Sequence, residues 1–231
     1  MSNKLISTII PTYNREKYIA EAIDSVLSQD YPNKEIIVVD DGSTDNTREI
    51  VAKYGSQVKC IHKENSGVAL TRNLGVASAN GDLIAWIDSD DYYLSEKLSV
   101  QAKYLDEHPE ADIVFTKYEN FVEGEVTPEI AARLAAETDN RYYMAASLTR
   151  RSLFGEIGNY DEKYKIGSDS DWIFRAKIVY GKNLDHYIDV PYYRRRFHTS
   201  NIVLSEPLDK NYNNRIMAEN LKKKMTMGRE K

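Results

Sequence analysis

Short apolar runs alternate with amphipathic stretches along the first half of the chain. Leu5-Ile6-Ser7-Thr8-Ile9-Ile10 is compact and β-branched and is followed by Pro11, a pattern that predicts a buried strand stopping at the proline. Beyond it Tyr18, Ile19, Ala22, Ile23, Val26 and Leu27 recur at helical spacing, with Glu21, Asp24 and Ser25 largely opposite. A helix is therefore predicted from Tyr13-Asn14-Arg15-Glu16 up to Pro32. Ile36-Ile37-Val38-Val39 reads as a second buried strand. Asp45 can cap a helix carrying Ile50, Val51 and Tyr54, which Gly55 can end. A strand from Val58 to His62, an amphipathic helix from Gly67 to Ala77 and an apolar strand from Leu83 to Ile87 follow.

The second half continues less regularly. Ser95 to His108 predicts a helix with Leu98, Ala102 and Leu105 inward, and Ile113 to Val122 a strand closed by the turn Glu123-Gly124-Glu125. Residues 127–141 read equally as a short helix or as a loop covering an acceptor crevice. Met144 to Thr149 reads as a strand, and Arg150-Arg151 opens a short helix ending near Gly155. Trp172, Ile173, Ala176, Val179 and Tyr180 form one helical apolar face, with Ser168, Asp169 or Asp171 at its N-terminus. Ile188 to Phe197 is a strand whose Pro191 predicts a sheet edge. Strands alternating with helices argue for βαβ units, hence an α/β, Rossmann-like domain with a central, mostly parallel sheet flanked by helices. We assign it to residues 1–205 and a basic helical tail to 206–231.

Composition narrows this little. A chain of 231 residues holds one sizeable core, and 42% hydrophobic with 29% charged residues is ordinary for a globular protein. The net charge of −5 gives no reason to expect a nucleic-acid partner. No apolar run is long enough to span a bilayer and the opening residues have no leader-like stretch, so a cytoplasmic location is expected. The single cysteine, Cys60, sits in an apolar alternation and reads as a packed thiol. In the tail, Ile216, Met217, Leu221 and Met225 give a weak stripe among lysines. That suits a solvated helix, a homodimer contact or a peripheral anchor at the cytoplasmic membrane face. No GxGxxG, P-loop, HExxH or paired CxxC occurs, which counts against dinucleotide enzymes, NTPases and zinc hydrolases.

The chemistry concentrates where strands end. Asp88-Ser89-Asp90-Asp91 terminates one apolar strand and Asp40-Asp41 another. Alone, the first cluster is as consistent with a solvated turn as with a site for Mg²⁺ or Mn²⁺. Ligands of parallel sheets bind at strand carboxyl ends, so Asp40, Asp41, Asp88, Asp90 and Asp91 are expected to face one crevice. The helix at Gly67 is expected to offer backbone N–H groups there, and Arg72 a fixed cation.

Taken in order, these segments resemble a family 2 (GT2) glycosyltransferase of the GT-A fold over most of residues 5–202. Pro11-Thr12-Tyr13-Asn14-Arg15 is similar to the family's opening motif and Val39-Asp40-Asp41-Gly42-Ser43-Thr44-Asp45 to its second. Asn65-Ser66-Gly67-Val68-Ala69-Leu70-Thr71-Arg72-Asn73-Leu74-Gly75 matches the third and Asp88-Ser89-Asp90-Asp91 the DxD metal motif. The resemblance implies a nucleotide-sugar donor, most often a UDP-sugar, bound through Pro11, Thr12, Tyr13, Asn14, Arg15, Asp41, Arg72, Asp88 and Ser89. Tyr13 stacks on the base and Asp41 accepts its N–H. Mn²⁺ or Mg²⁺ is carried by Asp90, helped by Asp91, and Arg196 and His198 of the C-terminal segment contact phosphate or metal.

The resemblance also implies an inverting transfer to a hydroxyl of a glycan, lipid-linked glycan or protein, with Asp169 as general base and Asp171 as the other candidate. The usual Glu-Asp pair of that segment is here Ser168-Asp169, which leaves an inactive, nucleotide-sugar-binding GT-A domain as the alternative. The QxxRW motif of processive members is absent, so single transfer is expected.

Overall fold

The computed structural model describes residues 3–136 and 142–199. The assigned tail and the end of the 127–141 segment lie outside them. Along the chain run β1 (Ile6–Thr12), α1 (Ile19–Leu27), β2 (Lys34–Asp40), α2 (Thr47–Ala52), β3 (Lys59–His62), α3 (Val68–Ser78), β4 (Leu83–Trp86) and β5 (Tyr92–Tyr93). Then come α4 (Lys97–Glu107), β6 (Ile113–Val122), α5 (Pro128–Ala136), β7 (Ser147–Arg150), α6 (Ser152–Ile157), α7 (Ser168–Phe174) and β8 (Tyr187–Phe197).

All eight strands join one sheet in the order β3-β2-β1-β4-β7-β6-β8-β5. The first four are parallel, while β7 runs antiparallel to both β4 and β6. β8 pairs parallel to β6 and antiparallel to β5, so the sheet is mixed. The continuous apolar runs arise because both sheet faces are covered, and the two-residue period sorts each strand between two cores. Ile6, Ile10, Ile36, Val38, Leu83 and Ala85 pack on the face covered by α1, α2 and α4. Ile9, Ile37, Val39, Ile84 and Trp86 pack on the other, with Ala69 of α3, Phe154 of α6 and Trp172 of α7.

Several local expectations are corrected. β1 does not stop at Pro11 but continues to Thr12. The Ile9 carbonyl receives the Ile87 N–H on the β4 side and the Thr12 carbonyl receives the Asp41 N–H on the β2 side. By that alternation Pro11 faces beyond the last paired residue of β4, where no ladder donor is needed. Pro191 lies inside β8, beside a register irregularity at Lys117 and ahead of Tyr193–Arg194, the part that β5 pairs. The helix expected from Tyr13 starts at Ile19, because the amides of residues 14–16 bond to Ser43, Thr47 and Asp45 beyond β2 instead. Met144–Ala146 is a 3₁₀ turn before β7. Tyr180 is 42% exposed and leaves its predicted apolar face, since the π-turn Arg175–Val179 shifts the phase after α7.

Candidate active site

The carboxyl ends of β1, β2 and β4 open onto a cavity of about 500 Å³. Its walls include Pro11, Thr12, Tyr13 and Arg15 from the end of β1, Asp41 after β2, and Arg72 of α3. Asp88, Ser89, Asp90 and Asp91 after β4, Asp169 of α7 and Arg195–Arg196 of β8 complete them. Most residues selected from the sequence thus converge on one space.

The opening motif is held by cross-bonding. Asn14 adopts a left-handed φ of 50°, which asparagine tolerates better than most residues. Its amide donates to Ser43 Oγ at 2.9 Å and its Oδ1 accepts the Thr44 amide at 2.8 Å. The Arg15 and Glu16 amides donate to Thr47 Oγ1 and Asp45. Tyr13 is thereby left on the rim, 40% exposed, as an open aromatic face.

The two acids after β2 separate. Asp40, expected in the crevice, turns away: it accepts from the Ser43 amide and meets His62 Nδ1, each at 3.0 Å. Asp41 lines the cavity and accepts the amides of Ser66 and Gly67 at 2.8 and 3.0 Å, with Lys63 bound to the same carboxylate. The two N–H groups just before α3, of Ser66 and Gly67, are thus engaged by a carboxylate of the chain itself.

The acids after β4 also differ in environment. Asp88 accepts the Tyr143 hydroxyl at 2.8 Å and lies 3.6 Å from Arg72. Burial pushes its carboxyl up; Arg72 opposes this and Asp90 adds to it. Arg72 in turn reaches Ser168 Oγ at 3.4 Å; burial lowers its pKa, but Asp169 and Asp88 outweigh that and raise it. Asp90 lies between Arg15 Nε at 3.0 Å and His198 Nε2 at 3.2 Å. Burial opposes its ionisation, yet the His198 hydrogen bond and Arg15 hold its carboxyl below the ordinary range.

Asp91 is buried beneath them. It accepts the Tyr193 hydroxyl and the Arg196 amide at 2.7 and 2.8 Å, with the Tyr143 hydroxyl at 3.3 Å. Burial, Asp90 and Asp88 push its carboxyl well above the usual range.

Arg196, expected to meet phosphate, has its guanidinium engaged by Glu21, Glu123 and the Asp90 carbonyl, with the Tyr18 ring 4.9 Å away. Of the two base candidates, Asp169 reaches the cavity, whereas Asp171 is fully buried and paired with Arg175 at 2.8 Å. Sequence reasoning missed Tyr143, Lys165 and Arg195, which also line the cavity. Arg195 belongs to the arginine run that the sequence singled out, but nothing in the run set it apart from its neighbours. Tyr143 and Lys165 carried no signal.

Comparison with known proteins agrees with this architecture. The chain is 31% identical to an uncharacterized glycosyltransferase of Rickettsia typhi over 220 residues, 87% of this chain and 68% of that protein. Among the Rickettsia relatives the chain spans between 15% and 68% of their length. The crystal structure of Staphylococcus aureus TarS 1-349 in complex with UDP-GlcNAc is similar with a TM-score of 0.70 and 27% identity, covering 94% of this chain and 71% of that one. The mannosyltransferase PcManGT from Pyrobaculum calidifontis, in complex with GDP-Man and Mn²⁺, shares the fold with a TM-score of 0.65 at 20% identity, over 100% of this chain and 66% of that one. The model of glycosyl transferase family 2 matches residues 7–181, so with its GT-A architecture this chain belongs to that family.

Proposed function

We propose that the cavity binds a nucleotide-sugar, preferentially a UDP-sugar, and that the chain transfers the sugar with inversion to a hydroxyl acceptor of a glycan, lipid-linked glycan or protein. The observation that carries this reading is the meeting of Tyr13, Asp41, Arg72, Asp88, Asp90 and Asp169 in one cavity. In this reading the exposed Tyr13 ring stacks on the base and Asp41 recognises its edge, beside Pro11, Thr12 and Asn14. Asp88 and Ser89 face the ribose and sugar, and Arg72 lies by the diphosphate.

Among the described residues no three His, Cys, Asp or Glu side chains form a ready-made metal cage. The residues fit an ion that takes one or two protein groups and completes its shell with diphosphate oxygens, the usual habit of Mg²⁺. Asp90 would hold it, with His198 beside it, while Asp91 and Arg196 fix the loop. When bound, a divalent ion neutralises charge on the departing diphosphate. Asp169 takes the acceptor hydroxyl proton while that oxygen bonds to the anomeric carbon. The bond to the phosphate oxygen breaks on the opposite face, and its electron pair leaves with the nucleoside diphosphate.

The test is a donor-hydrolysis screen over UDP-, GDP- and dTDP-sugars with Mn²⁺ or Mg²⁺. Ion-dependent release of UDP is expected. No hydrolysis of any donor, with intact nucleotide binding, would instead favour the inactive binding domain.

A further inference from the structure

Asp88 is the most exposed carboxylate of the acidic loop, with about a third of its side chain accessible, yet only two groups hold that carboxylate among the described residues. One is Arg72, at 3.6 Å, too long for a close bidentate pair. The other is the hydroxyl of Tyr143, at 2.8 Å. Tyr143 comes from a different part of the chain, just before the 3₁₀ turn at Met144, and its own ring is fixed. It lies edge-on to Tyr193 at 5.5 Å, tilted against Tyr118 at 4.8 Å, and the Arg195 guanidinium sits 5.1 Å from its centre.

Tyr193 does a separate task. Its hydroxyl accepts the Asp88 backbone amide at 3.2 Å and donates to Asp91 at 2.7 Å, so it fastens the loop's backbone and its buried acid. With Asp91 already held by Tyr193 and by the Arg196 amide, the shorter bond of Tyr143 is the one that orients a side chain facing the cavity.

From this division we infer that Tyr143 is a positioning residue for the donor site: its hydroxyl aims the Asp88 carboxylate into the cavity and keeps it from closing onto Arg72. Without that hydroxyl, Asp88 is free to turn into a tight pair with Arg72, which removes a directed acceptor and a cation from the donor together. The inference rests on the donor reading proposed above, and it concerns a residue that does not itself contact the reacting atoms.

The test is a double-mutant cycle of Tyr143→Phe and Asp88→Asn, read by calorimetry as the affinity for UDP in the presence of Mn²⁺ and, separately, by thermal unfolding. Tyr143→Phe keeps the ring and its packing. It is expected to weaken UDP binding about tenfold in the wild-type background and less than about twofold when Asp88 is already Asn, because a hydrogen bond to a charged group is lost only once. Tyr193→Phe is expected to lower the melting temperature while its effect on affinity is the same with either residue at position 88. UDP binding by Tyr143→Phe within twofold of wild type overturns the inference, and so does an equal loss in both backgrounds. Failure of the wild-type chain to bind UDP, GDP or dTDP with Mn²⁺ is a different result, which overturns the donor reading and the inference with it.

Discussion

Asp169 and Asp171 are two positions apart and carry the same functional group, yet their surroundings give them unrelated chemistry. Asp169 lines the cavity, while Asp171 is fully buried and holds Arg175, whose guanidinium also reaches the carbonyls of Ile157 and Asn159. Replacing Asp169 by Asn is expected to lower transfer by about 10²- to 10⁴-fold, the usual range for removing a general base, with UDP binding unchanged in calorimetry. Asp171→Ala is expected to act through the fold, destabilising by about 3 kcal/mol in urea unfolding because it leaves a buried cation short of its partner. Full transfer activity in the Asp169 variant would move the base elsewhere. The sequence alone left these two open, since periodicity locates a helix but not which of its first-turn acids is turned inward. The same limit applies to Arg196. A run of arginines beside a histidine predicted phosphate contacts, and only the fold reveals Glu21 and Glu123, far away in the chain, bound to that guanidinium.

Elements were legible wherever one period dominated. The strands from Ile6, Ile36, Leu83 and Ile113 lie where their apolar runs place them, because these stretches of the sheet are covered on both faces. Misread boundaries came from bonds made across the sequence: the Asn14 side chain holds Thr44 and thereby delays α1, and the π-turn after α7 turns Tyr180 out. The antiparallel course of β7 has no counterpart in its composition, since Ser147–Arg150 would pack alike in either direction. Two element-scale predictions follow from packing. A Cβ built on Gly75 of α3 would lie 2.4 Å from Cγ2 of Ile9, a fully buried residue of β1. Gly75→Ala should therefore destabilise the fold by about 1–3 kcal/mol through overpacking, whereas a gain in stability would show that helix propensity outweighs the clash.

The second concerns Lys97, fully buried in α4, where its ammonium meets Gln101 Oε1 at 2.8 Å and the Tyr93 ring at 4.2 Å. Burial pushes its pKa well below the ordinary lysine value of 10.5. The unfolded chain then binds the proton more readily than the native one, so this group's contribution to stability grows as pH rises from its native pKa towards 10.5. Above that it is fully present, and it is lost as pH falls through the native value. The unfolding free energy of wild type minus that of Lys97→Met should thus rise as pH approaches the ordinary lysine value of 10.5 from below. A flat difference would contradict this.

At the scale of the whole molecule, the cavity is a seam between distant parts of the chain, joined by the sheet and by ties such as Arg15–Asp90 and Arg196–Glu21. Its walls come from the ends of β1, β2 and β4, from α3 and α7, and from β8, so a ligand spanning it ties the first strand to the last. The same walls bring Asp41, Asp88 and Asp90 to one mouth, and a diphosphate approaching them meets like charge unless a cation arrives with it. Arg15 already spends its charge on Asp90, and Arg72 shares its own between Asp88 and Asp169, so neither arginine is wholly free for a diphosphate. Ligand and ion should consequently stabilise the protein only as a pair. A ligand at about a hundred times its dissociation constant adds about 2.7 kcal/mol, which at about 2–4 °C per kcal/mol for a domain of this size corresponds to a rise in melting temperature of about 5–11 °C. Thermal unfolding is therefore expected to shift upward with UDP and Mn²⁺ together and hardly at all with either alone. In Asp90→Asn the cooperation between the two should vanish while Arg72 and Tyr13 remain in place. An equal shift from UDP without the ion would mean that the arginines alone neutralise the diphosphate, and the proposed metal role of Asp90 would fall.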